Sequence, residues 1–79
     1  GGINIFCSGN AIQIDSKEKI NSVAVTDLFG RNVSFTRSGN VINMKDNAGG
    51  VYFVRMLVNG NMFTRKVFIG RWLTCLPVD

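Results

Sequence analysis

Between Gly49 and Ile69 the chain reads as two runs of β-branched and aromatic residues on either side of Asn59-Gly60. Asn and Gly both tolerate positive φ, which a two-residue type I′ turn requires at its two central positions, so this pattern predicts a tight hairpin. A two-residue loop sets Val58 opposite Asn61 and runs the pairing back through Met56–Phe63, Val54–Arg65 and Tyr52–Val67. That register puts Tyr52, Val54, Met56, Val58, Phe63, Val67 and Ile69 on one face. Val51, Phe53, Leu57, Met62 and Phe68 go to the other, together with Arg55, Thr64 and Lys66. Both faces are largely apolar, with the cations gathered on the second. The expectation is a central hairpin covered on both sides.

The rest of the chain alternates with period two. Ile3, Ile5 and Cys7 alternate with Asn4 and Phe6 up to a break at Ser8-Gly9-Asn10, and Ile12 and Ile14 alternate with Gln13 and Asp15. A charged connection over 15–19 leads to a strand over 20–27, with Val23 and Val25 on one face and Ala24, Thr26 and Leu28 on the other. Leu28-Phe29-Gly30-Arg31 reads as a turn with Gly30 at positive φ. A strand over 32–36 follows, with Val33 and Phe35 inward, then a break at Ser38-Gly39-Asn40, a short strand over 41–44 and a loop over 45–49. No stretch has a helical period. About seven short strands, with turn signals roughly every eight to twelve residues, predict an all-β, antiparallel immunoglobulin-like β-sandwich. A small barrel is the alternative.

Composition bounds this picture. The 79 residues are 46% hydrophobic and 18% charged, which describes one globular domain near the lower size limit for a self-sufficient core. Residues 3–76 are read as that domain, with Gly1-Gly2 as a cloning remnant and the whole as the C-terminal module of a longer protein. No apolar run approaches the ~20 residues of a membrane-spanning helix, and no signal peptide is visible. The net charge of +4 is spread as single residues, not gathered into a stripe, which argues against nucleic acid as a partner.

Little here supports catalysis or metal binding. The chain has no histidine, no nucleophile–base arrangement and no glycine-rich phosphate loop between strand and helix. Its five acids stand singly or on turns, without the pairing that glycoside hydrolysis needs. The expectation is a non-enzyme with no cofactor and no metal. Cys7 and Cys75 lie near opposite ends. A bridge between them is compatible with neighbouring terminal strands, and closing so long a loop contributes about 4 kcal/mol in the chain-entropy model. Two buried free thiols is the preferred reading.

Three segments together resemble the C-terminal sorting domain of the type IX secretion system of Bacteroidetes. Val23-Ala24-Val25-Thr26-Asp27-Leu28-Phe29-Gly30-Arg31-Asn32-Val33 is similar to the family's strand and turn "v-x-v-y-D-l-x-G-r-x-v", with Thr26 where an aromatic is usual. Gly50-Val51-Tyr52-Phe53-Val54-Arg55 resembles its "G-v-Y-f-v-r", and Thr64-Arg65-Lys66-Val67-Phe68-Ile69 its closing "t-k-K-v-v". Family members usually stop at that point, whereas this chain continues for ten residues. The resemblance implies a compact β-sandwich at the end of an exported protein, recognised by the outer-membrane translocon and often removed by a sortase-like peptidase. It implies as partners that envelope machinery and the upstream domain of the parent chain, with no membrane insertion. The destination it implies is the medium or the outer-membrane surface, reached through the periplasm. By the same resemblance, Gly30, Arg31, Gly50, Tyr52, Arg55 and Lys66 are the candidate recognition residues, with Asp27 beside them.

Each candidate also has a plain structural reading. Gly30 and Gly50 suit turn geometry, and Tyr52 suits a core position with its hydroxyl at the rim. Arg55 and Lys66 carry charge in mid-strand on a partly apolar face. Such a cation reaches solvent, pairs with an acid such as Asp27 or Asp46, or meets a partner. The alternative function is an accessory carbohydrate-binding or adhesive sandwich, with Trp72, Tyr52 and the phenylalanines as a stacking platform. A passive spacer domain is a third.

Overall fold

A computed structural model describes residues 3–8, 10–69 and 76–78, with Cys7, Ser8 and 76–78 described by backbone alone. The strands are β1 (Asn4–Ser8), β2 (Ala11–Asp15), β3 (Ile20–Asp27), β4 (Thr36–Ser38), β5 (Val41–Asn43), β6 (Gly50–Val58), β7 (Asn61–Ile69) and β8 (Leu76–Val78). They form two antiparallel sheets, ordered β1-β2-β5-β4 and β3-β6-β7-β8. The division of the first seven strands, 1-2-5-4 against 3-6-7, is that of a constant-type immunoglobulin sandwich, and β8 is added beside β7. The sandwich expectation therefore holds, and the two separate sheets exclude the barrel.

The hairpin register is the one the Asn59-Gly60 turn demands: Val58 faces Asn61, Met56 faces Phe63 and Tyr52 faces Val67. Asn59 (φ 50°) and Gly60 (φ 81°) both occupy the left-handed region, as type I′ requires. Tyr52, Val54, Met56, Val58, Val67 and Ile69 are buried, and Phe63 packs half-buried against them. Ile12, Ile14, Ile42 and Met44 close the core from the opposite sheet. Each fully buried aliphatic side chain stabilises by about 1.5–3 kcal/mol, so alternate residues of β2, β5, β6 and β7 together hold the two sheets.

Four expectations need correction. The hairpin is central within its sheet but covered on one side only: on the outer face Met62 is 53% and Phe68 43% exposed. A sandwich buries one face of each sheet, so apolar character on both faces of β6 and β7 does not mean double cover. Arg65 falls on the inward row, opposite Val54. It escapes the core by reaching the rim, where it donates to the carbonyls of Thr64 (3.1 Å) and Ile3 (3.4 Å) and lies 5.9 Å from the Phe63 ring centre.

The third correction concerns 32–36, which is not a strand. Asn32 bridges Thr26, and Val33 N–H donates to Val25 O at 2.9 Å. The chain then crosses to the other sheet and pairs only from Thr36. A crossing segment cannot stay in one ladder, yet Val33 and Phe35 still pack on the core during the crossing. Fourth, the residues after Ile69 include a strand: β8 pairs with Lys66, Val67 and Phe68. Pro77 sits in this edge strand, where a sheet tolerates a missing N–H. Cys7 lies opposite Ile12 in the β1–β2 ladder. A Cys7–Cys75 bridge involves atoms outside the described residues, as does Trp72.

Candidate recognition surface

The turn after β3 is organised by one carboxylate. Asp27 Oδ1 accepts the backbone N–H of Phe29 (2.8 Å) and of Arg31 (3.0 Å), while Oδ2 accepts Arg31 Nε at 2.9 Å. Gly30 N–H donates back to Asp27 O, and Asp27 N–H to Arg31 O. This is the Asx-type closure that an aspartate at the start of a turn provides. Gly30 takes φ 80°, a conformation costly for a residue with a Cβ. The result is a firm tip with Leu28 64% and Phe29 82% exposed, and the Arg31 guanidinium 5.2 Å from the Phe29 ring centre.

Desolvation pushes the Asp27 carboxyl up, but the two backbone N–H bonds and the Arg31 side chain outweigh it and hold it below the ordinary carboxylate range. A depressed folded-state value means that the turn's contribution is fully present above the unfolded carboxyl value of about 3.9 and is lost as pH falls through the folded value. In an amide NMR titration from pH 7 downward, Phe29 and Arg31 N–H should shift together at a pH below that of a free aspartate. In Asp27→Asn that step should be absent. A Phe29 midpoint at or above the free value would refute the closure.

Tyr52, near the start of β6, is 7% exposed and donates its hydroxyl hydrogen to Ala48 O in the β5–β6 connection. A tyrosine at this corner, bonded to backbone a few residues upstream, is the tyrosine corner of immunoglobulin-like sandwiches. Its spacing from Ala48 is visible in the sequence once the sandwich topology is known. Gly50 opens β6 opposite Ile69. Asp27, Gly50, Tyr52 and Ile69 thus gather at one end of the sheet, as the Asp27–Tyr52 and Gly50–Ile69 pairs require.

Arg55 and Lys66 lie elsewhere, in mid-strand on the outer face. Arg55 is flanked by Ala24 and Thr64, and Lys66 by Phe53. The acids suggested for them are not their partners: among the described residues the one ion pair is Asp27–Arg31. Asp46 instead lines a shallow groove with Phe35, Asn43 and Asn47. The backbone edge of β7 at Lys66–Phe68 is occupied by β8. As for a stacking platform, the Tyr52 ring is in the core, and the exposed Phe6 and Phe68 belong to opposite sheets.

Residues 8–70 match the family model described as the secretion system C-terminal sorting domain, a span that contains β2 through β7, the Asp27–Arg31 turn and the tyrosine corner. The chain belongs to this family. The sorting domain is a signal for type IX secretion and not a catalytic family. No curated protein and no solved structure matches the chain. The β8 strand, at Leu76–Val78, lies beyond the stretch that matches the sorting domain. Among the described residues no helix is long and apolar enough to cross a membrane, and no cluster of His, Cys, Asp and Glu could hold a metal ion.

Proposed function

We propose that this chain is the non-catalytic C-terminal module of a longer protein and directs that protein through the type IX pathway to the cell surface or the medium. The observation that carries the reading is the family match across 8–70, which spans β2 through β7. The module acts as a folded surface read by the outer-membrane translocon after the parent has reached the periplasm. A sortase-like peptidase of the envelope then releases or anchors the parent. Of the six candidate residues, Arg31, Arg55 and Lys66 are the ones that meet the machinery, because their side chains are not part of the core. Gly30, Gly50 and Tyr52 serve recognition by shaping the turn and the corner.

The test is a reporter fused to the N-terminus of residues 3–79, expressed in a type IX-competent bacterium, beside the same fusion ended at Ile69. Surface or medium reporter should exceed that of unfused periplasmic reporter by about tenfold, a difference of about 1.4 kcal/mol if read as recognition free energy. Truncation uncovers the β7 edge now paired with β8, so it raises export if that edge is read and leaves it unchanged if the outer face is. A reporter that stays periplasmic in both fusions would sink the sorting role.

A further inference from the structure

The outer face of the β3-β6-β7 layer is apolar and cationic, and none of the described residues on it is an acid. Phe53 and Leu57 are half-buried, Met62 and Phe68 are exposed, and Arg55 and Lys66 stand among them. Residues that alternate outward on β3, namely Ser22, Ala24 and Thr26, add no carboxylate. The Arg55–Thr64 pair stands between Leu57–Met62 and the Phe53 and Phe68 end of the face, and exposed apolar surface rimmed by polar residues marks an interaction site. Phenylalanine, methionine and arginine are also the residue types that protein interfaces favour.

We infer that this face docks a protein of the export machinery whose complementary surface is apolar and carries carboxylates placed to meet Arg55 and Lys66. Covering the apolar residues also removes water from two cations, and a buried cation without a counter-charge is strongly unfavourable. The occupant therefore supplies the acids, since the described residues of this chain put none on the face. A second copy does not fit that requirement, because an isologous two-fold contact brings up the same face, whose charged described residues are cations. A lipid surface fits poorly as well: two cations contribute only about 1 kcal/mol each at an anionic membrane. The inference rests on the proposed role in export and gives that role its docking surface.

The test uses the reporter fusion of residues 3–79 in the type IX-competent bacterium. Arg55→Glu/Lys66→Glu should lower surface reporter about tenfold, because opposed like charges repel where the pair was matched. Arg55→Lys/Lys66→Arg should export as the parent does, and Lys17→Glu/Lys19→Glu, with the same charge change on the loop before β3, should leave export unchanged. Melting curves of the isolated variants verify folding; Arg55→Gln/Lys66→Gln removes the charges without adding acids and decides the matter if the reversal disturbs the fold. Export of Arg55→Glu/Lys66→Glu at the parent level, while the parent is exported, overturns the docking face and leaves the sorting role standing. Failure of both the parent fusion and the fusion ended at Ile69 removes both. Two further results overturn a protein partner: sedimentation with phosphatidylglycerol vesicles abolished by the charge reversal, or a concentration-dependent dimer, seen by light scattering, abolished by Phe68→Ser.

Discussion

Met56→Asp should leave the chain unfolded, whereas Leu57→Asp, one residue along the same strand, should fold. Met56 is fully buried, packed between its strand partners Val23 and Phe63. A domain of 79 residues has a total stability of about 4–12 kcal/mol at the usual value per residue. Removing the Met56 side chain from the core costs about 2–5 kcal/mol on its own. A carboxylate in its place adds several kcal/mol more, because no cation on the inward face stands opposite it. The sum reaches or exceeds what the fold has. Leu57 points to the outer face and is only half-buried, so an aspartate there keeps its water and costs roughly 1 kcal/mol. Urea titration followed by circular dichroism and amide NMR dispersion distinguishes the two. A cooperative transition in Met56→Asp would mean that the two faces of β6 are assigned the wrong way round.

The second large effect is at the tyrosine corner. Tyr52→Phe keeps the ring in the core and deletes only the hydroxyl that bonds Ala48 O. Leaving that carbonyl without its partner should cost about 1–3 kcal/mol. For a domain of this size each kcal/mol lowers Tm by about 4–8 °C. The experiment also separates two roles for a residue that resemblance alone assigns to recognition. If Tyr52 holds the corner, Tyr52→Phe loses Tm, and export falls no further than in a core variant of equal stability, such as Ile42→Val. An unchanged Tm with export lost would instead assign the hydroxyl to the partner.

The hairpin was legible in the sequence because its determinants are local. Asn59-Gly60 admits one tight turn, and a period of two residues then assigns every side chain from Gly50 to Ile69 to a face. The Asp27–Arg31 turn was legible for the same reason, through a carboxylate within four residues of every group it binds. What the sequence leaves open depends on contacts between distant segments. The stretch 32–36 alternates like a strand, but Val33 and Phe35 alternate because they cross the core between sheets. Leu76-Pro77-Val78 carries no strand signal of its own and is ordered by the unpaired edge of β7.

The candidate site divides in the same way. From the sequence, Tyr52, Arg55 and Lys66 share one pattern and appear as one group. In the fold Tyr52 turns inward to Ala48, and Arg55 and Lys66 turn outward onto an apolar face, with no ion pair to an acid among the described residues. By itself the sequence determined β1, β2, β3, β5, β6 and β7, the hairpin register and the turn chemistry, together with the motifs by which the family is known. All of these depend on steric rules and hydrogen bonds within a few residues. The tertiary structure alone decided which of the two apolar faces of β6 and β7 is buried. Both faces satisfy the same local pattern, and only the opposite sheet, bringing Ile12, Ile14, Ile42 and Met44, can cover one of them and leave the other on the outside.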